Sequence, residues 1–320
     1  MVTIVSKLDT AHRLTIHDVQ MNYYGTRLAT CSSDHLVKIF ELKPSGQTYP
    51  SAELSGHTGP VWQVAWAHPK FDNVVASCSY DKRVIIWKEI AGKWQKFYEW
   101  NHHDASVNSI SWGPHQFGLT LACASTDTTL SVLTFDKEQI WTHKIIVKAH
   151  EQVPEHRSFV QFLRVPSKFQ GCNAVSWAPA LYSASLLEST GCVLSKRIVS
   201  GGNDNLVKIW REKKESDWEL DVELEGHSDW VRDVAWAPVA AYNTIASCGQ
   251  DKRVIIWRCS NIDQRHWISQ ELTVCDDILW HVSWSLCATI LAVSGANNEV
   301  SLWKESVNNE WIQISKSEDD

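Results

Sequence analysis

The chain has 320 residues, 44% apolar and 21% charged, with a formal net charge of −7. That balance excludes a disordered polyelectrolyte, and with no long Lys/Arg run it argues against direct nucleic-acid binding. No run of about 18 apolar residues suggests a membrane span. The nine cysteines contain no C-x-x-C pair that would suggest a zinc site.

In chain order, the first predicted element is a strand, Val2-Thr3-Ile4-Val5-Ser6-Lys7-Leu8. The start MVTIVSKLD is expected to be too short and too polar for a signal peptide. Then a repeat begins, and the eighteen tryptophans follow it. Phe40, Trp87, Leu133, Trp210, Trp257 and Trp303 stand 46 or 47 residues apart, with one step of 77. Six residues before each comes Asp34, Asp81, Asp127, Asp204, Asp251 or Asn297. His12, His57, His103, His150 and His227 open the first five repeats, and the sixth has no such histidine. Cys31, Cys78 and Cys248 share one repeat position, as small buried hydrophobes do, and suggest a reducing compartment.

Each repeat enters on apolar residues at one spacing, as in Val61-Val64-Trp66, Val107-Ile110-Trp112, Val231-Val234-Trp236 and Leu279-Val282-Trp284. A short apolar run follows (VVASCS, TIASCG), then a turn at the Asp, then VIIW or VKIW, then a fourth run such as KWQKFYEW. Four short strands per repeat make a propeller blade. The expected fold is therefore all-β: one WD40 β-propeller domain over 1–320, with blades 12–54, 55–100, 101–148, 149–223, 224–273 and 274–315.

The His, Asp and Trp columns are expected to form buried hydrogen-bonded tetrads with a Ser of the second strand. These are His57, Ser77, Asp81 and Trp87; His150, Ser200, Asp204 and Trp210; and His227, Ser247, Asp251 and Trp257. Repeat one departs with Phe40, repeat three with Cys123 and Leu133, and repeat six lacks both His and Asp, so the end blades should be less locked. A Ser-His-Asp trio could also suggest a hydrolase, but an active site does not recur in several repeats. No Gly-rich phosphate loop, HExxH or GxSxG is present, and no enzyme activity, cofactor or metal is expected.

The strings GPVWQVAWAHP, ASCSYDKRVIIW, GCNAVSWAPA, HSDWVRDVAWAP and SLWKESVNNEW closely resemble the family of the small WD-repeat subunit of the COPII outer coat. DVQMNYYGTRLATCSSD fits it too, and the resemblance runs from residue 1 to about 315. It implies a scaffold in ER-to-Golgi transport that also serves the nuclear pore Y complex, and so mRNA transport, and a TORC1-type nutrient-signalling complex at lysosomes or vacuoles. The implied places are the cytoplasm, the cytoplasmic face of the ER and its vesicles, and the nuclear envelope. Membrane attachment would be peripheral, through partners. The departure is EQVPEHRSFVQFLRVPSKFQ near 151–170. It reads as a surface loop, as an added contact site through Phe159, Val160, Phe162 and Leu163, or as an unspliced segment.

Six repeats already supply twenty-four strands, the last of them NEWIQIS, so the segment 2–8 is surplus or is one strand of an incomplete seventh blade, and it is the expected edge for a partner's blade. An open ring exposes its end blades, and strands from another chain can cover such edges. A partner is therefore expected to donate about three strands beside blade one. The resemblance implies the same, with an α-solenoid subunit of the COPII coat or of the Y complex as donor. The alternative is a generic WD40 adaptor that reads a peptide in its channel through Asp18, Gln63, Asp233 and His281.

Overall fold

The computed structural model describes residues 8–151, 171–182, 194–213, 217–239, 243–259, 266–274, 277–297, 299–308 and 310–316. The expected N-terminal strand lies outside the described residues except for Leu8, which is in no strand, and the insert lies outside them from 152 onward.

Six four-stranded antiparallel sheets follow one another along the chain. Blade one holds β1 (Ile16–Met21), β2 (Arg27–Ser32), β3 (Leu36–Leu42) and β4 (Thr48–Ser55). Blade two holds β5 (Val61–Trp66), β6 (Val74–Ser79), β7 (Val84–Ile90) and β8 (Lys93–Trp100). Blade three holds β9 (Val107–Trp112), β10 (Leu119–Ser125), β11 (Leu130–Phe135) and β12 (Trp141–Ile146). In blade four a small hairpin, β14 (Leu181–Tyr182) with β15 (Leu194–Ser195), separates β13 (Cys172–Trp177) from β16 (Arg197–Gly202), β17 (Val207–Glu212) and β18 (Trp218–Leu224). Blade five holds β19 (Val231–Trp236), β20 (Thr244–Gly249), β21 (Arg253–Cys259) and β22 (Trp267–Val274). Blade six is completed by its own outer strand: β23 (Leu279–Trp284), β24 (Ile290–Gly295), β25 (Val300–Glu305) and β26 (Trp311–Lys316).

The second strand of a blade is covered on both faces, so β6 and β20 read as unbroken apolar runs and are buried along their whole length. The turn into the third strand needs one left-handed residue, supplied by His35, Lys82, Thr128, Asn205 and Lys252. The preceding Asp holds that turn with its own carboxylate. Asp81 Oδ1, for example, accepts the Arg83 N–H at 3.0 Å. This local role is one reason the Asp column recurs.

The core lies between sheets. The inner strands meet in sequence: β1 on β5, β5 on β9, β9 on β13, β13 on β19 and β19 on β23. One buried apolar cluster fills each of these five junctions. Among the described residues no such cluster joins blade six to blade one.

Candidate functional site

Two features stand out: a set of polar locks inside the blades, and the junction left without a core.

In blade two, His57 Nδ1 lies 3.0 Å from Asp81 Oδ2 and His57 Nε2 lies 2.8 Å from Ser77 Oγ. The Trp87 indole N–H donates to the same Ser77 Oγ at 2.9 Å. Blade four places His150, Asp204, Ser200 and Trp210 in the same chain, with distances of 2.7, 2.7 and 2.9 Å. Blade five does so with His227, Asp251, Ser247 and Trp257, at 3.0, 2.7 and 2.8 Å. The geometry imitates a Ser-His-Asp triad, yet Ser77, Ser200 and Ser247 are fully buried. Each serine oxygen already takes an indole N–H, so it faces no substrate. Burial works against a charged Asp81, but the hydrogen bond and charge of His57, with the Thr58 and Arg83 N–H groups, outweigh it and bring Asp81 down to about 2. In blade four no side chain fits beside the imidazole, because a Cβ on Gly202 would collide with His150.

The locks reach further than the columns suggest. In blade one, His12 joins Asp34 at 2.8 Å and Thr30 Oγ1 at 2.9 Å, and the chain stops there because the Phe40 side chain has no indole N–H. In blade three, His103 joins Asp127 at 2.9 Å, and its Nε2 finds Ser131 Oγ at 2.8 Å. Ser131 belongs to β11, directly opposite Cys123 of β10. The hydroxyl has moved one strand outward, into the space that Cys123 leaves. Blade six repeats the exchange: Val293 of β24 faces Ser301 of β25, whose Oγ takes the Trp303 N–H at 2.9 Å. Blades one and four carry a lysine at this third-strand position. Lys38 Nζ donates to Ala11 O at 2.7 Å, and Lys208 Nζ lies 3.1 Å from Asp204 Oδ2. Blades one and three thus lack the indole, and blade three the second-strand hydroxyl, while both keep the His–Asp pair.

Neighbouring blades are stapled through their inner strands. The Trp66, Trp112, Trp177 and Trp284 indoles donate to the carbonyls of Gln20, Ala65, Ser111 and Ala235 in the preceding blade, at 2.9–3.0 Å. Trp112→Phe keeps one aromatic ring but loses this bond and the pyrrole half of the indole, and is expected to cost about 1–2 kcal/mol in urea denaturation. No change in midpoint would remove the staple from the account.

The channel residues are engaged in the same way. Asp18 accepts the Val64 N–H, Gln63 the Ile110 N–H and Asp233 the Val282 N–H, at 3.1, 2.6 and 2.9 Å. His281 Nδ1 lies 2.6 Å from Asp233 Oδ2. The Asp233 charge, opposed by burial and helped by this hydrogen bond and by Asp18, lifts His281 to about 9. The folded value exceeds the ordinary 6.5, so this stabilisation is complete below about pH 6.5 and fades as the pH rises through 9. His281→Gln is expected to flatten stability against pH across that window. Equal slopes in variant and wild type would contradict it.

The sixth-to-first junction is open among the described residues. Val61 and Val64 on the inner strand of blade two are 0% exposed, whereas Ile16 and Val19 at the same positions of blade one are 42% and 54% exposed. Met21, in the Trp66 position, is 55% exposed. On blade six, Val300 and Ile314 lie bare, although Val84, the counterpart of Val300 in blade two, is buried. Two apolar sheet faces thus border one opening. The sequence pattern hides this, because Ile16-x-x-Val19 looks like every buried repeat.

A ring of four-stranded sheets with recurring His–Asp locks defines a WD-repeat β-propeller. The profile of the WD domain, G-beta repeat, matches residues 4–41, 48–88 and 218–258. The chain is 50% identical to the human "Protein SEC13 homolog", over 98% of this chain and 94% of that protein. It is 46% identical to "Protein transport protein sec13" of Aspergillus clavatus, over 95% and 100%, and 45% identical to the Drosophila melanogaster "Protein SEC13 homolog", over 98% and 84%. The chain belongs to the SEC13 family.

Proposed function

We propose that this protein is a non-enzymatic scaffold subunit of the COPII outer coat, and that it holds an α-solenoid subunit rigidly by accepting a blade from it. The single observation that carries the reading is the bare apolar face of β1 at a junction where every other inner strand is covered. Soluble proteins rarely leave such a face uncovered, and β-augmentation covers both the face and the strand edge. The family membership supports protein transport as the setting. Locked blades supply the stiffness: a propeller that resists shear fixes the angle of the solenoid joined to it. The same opening would serve a solenoid of the nuclear pore Y complex and the nutrient-signalling complex, with attachment to ER, nuclear-envelope or lysosomal membranes through those partners. The three tetrads act here as structural locks.

The test is purification of the tagged chain from its own cells, with identification of what comes with it. A stoichiometric α-solenoid chain, in an interface above about 2,000 Å², is the expected result. A monodisperse free monomer that gains no thermal stability on mixing with the solenoid's strand segment would overturn the reading.

A further inference from the structure

The closed junctions show a rule, kept in four of the five, that extends to the open one; at the fifth the Trp236 indole N–H has no hydrogen-bond partner among the described residues. In four of them the last residue of an inner strand is a Trp whose indole donates to a carbonyl of the preceding blade. The acceptor belongs to the residue just before that blade's own column residue: Gln20 before Met21, Ala65 before Trp66, Ser111 before Trp112 and Ala235 before Trp236. In blade six this residue is Ser283, before Trp284. It is exposed, and among the described residues no further blade lies beside it to use its carbonyl. Two and five residues before each of these tryptophans stand the side chains that fill the junction. In blades two, three and six they are Val64 and Val61, Ile110 and Val107, and Val282 and Leu279, and all are buried. On the other side of the opening the rule is broken. Met21 stands in the Trp position of blade one, so that face offers apolar area and no indole donor.

We infer that the occupant of the opening carries an inner strand of the pattern apolar-x-x-apolar-x-Trp, with its indole N–H donated to the Ser283 carbonyl of blade six and its opposite face laid on Ile16, Val19 and Met21 of blade one. This rests on the blade donation proposed above and adds the orientation and sequence of the donated strand. The polarity follows from the asymmetry. The blade-six side selects by a directed hydrogen bond, and the blade-one side accepts apolar groups of any shape that fits.

The test uses yeast display of three-stranded segments built on residues 61–90 of this chain, with positions 61, 64 and 66 randomised. Segments are selected against the intact protein, and those that also hold a Val19→Asp variant are discarded. Enrichment of Val, Ile or Leu at the first two positions and of Trp at the third is expected. Trp→Phe in a selected segment should weaken binding by about fivefold, the loss of one neutral hydrogen bond. Selected segments that lack Trp, or that bind equally well with Phe, would overturn the strand pattern while leaving blade donation standing. Retention of no segment at micromolar protein would overturn blade donation itself and this inference with it.

Discussion

Val19→Asp is expected to weaken capture of a donated blade at least about a hundredfold, with little change in the stability of the free protein. Val19 is 54% exposed before any partner arrives, so the free chain solvates the new carboxylate at little cost. Once a blade covers β1, that carboxylate must be buried against apolar side chains. Burying an unpaired charge costs several kcal/mol, and a hundredfold loss requires only about 2.7 kcal/mol. Titration of the co-purified solenoid by calorimetry measures the loss, and thermal denaturation of the free variant controls for folding. Val64→Asp shows the contrast: the same change at the same position of blade two, where the side chain is fully buried, should destabilise the free protein itself. Unchanged affinity for the Val19 variant would mean that β1 is not the docking face. If that variant fails to fold, Met21→Asp poses the same question at a second exposed position.

Much of the fold was legible because its signals are local. A left-handed turn held by an Asp carboxylate, a fully covered second strand and an apolar-x-x-apolar-x-Trp entry each leave a mark within a few residues, and the mark repeats. The His–Asp pairs were legible for the same reason, at a fixed separation of 24 residues in blades two, three and five. What escaped depends on two dimensions. Ser131 has no meaning in the chain until β10 and β11 are paired and Cys123 is seen opposite it. A signal was present nonetheless: Ser131 and Ser301 both stand two residues before the column residues Leu133 and Trp303, in the two repeats that lack a second-strand hydroxyl at that register. The exposed face of β1 was expected from the strand count and not from its own residues. Burial there belongs to the neighbour, and blade one has the same apolar spacing as its buried counterparts.

The exchanged hydroxyl in blade three gives the sharpest test of whether the locks stabilise the blades. Ser131→Ala leaves His103 Nε2 without its 2.8 Å partner in a buried site. The expected cost is about 2 kcal/mol, the price of one unsatisfied buried polar group. Leu133 offers no indole, so the loss falls on the histidine and on the Cys123 thiol that Ser131 also meets. Cys123→Ser in the same chain restores a hydroxyl at the position that Ser77 occupies in blade two, and should recover most of the loss. Cys123→Ser alone should change little, because His103 already has a partner and the added hydroxyl faces Ser131 across the strand pair. A double-mutant cycle in urea separates the two accounts. Strong coupling between positions 123 and 131 marks one lock served from either strand. Additive effects would mean that Ser131 stabilises blade three by packing alone, and the hydroxyl exchange would then have no energetic meaning in blade six either.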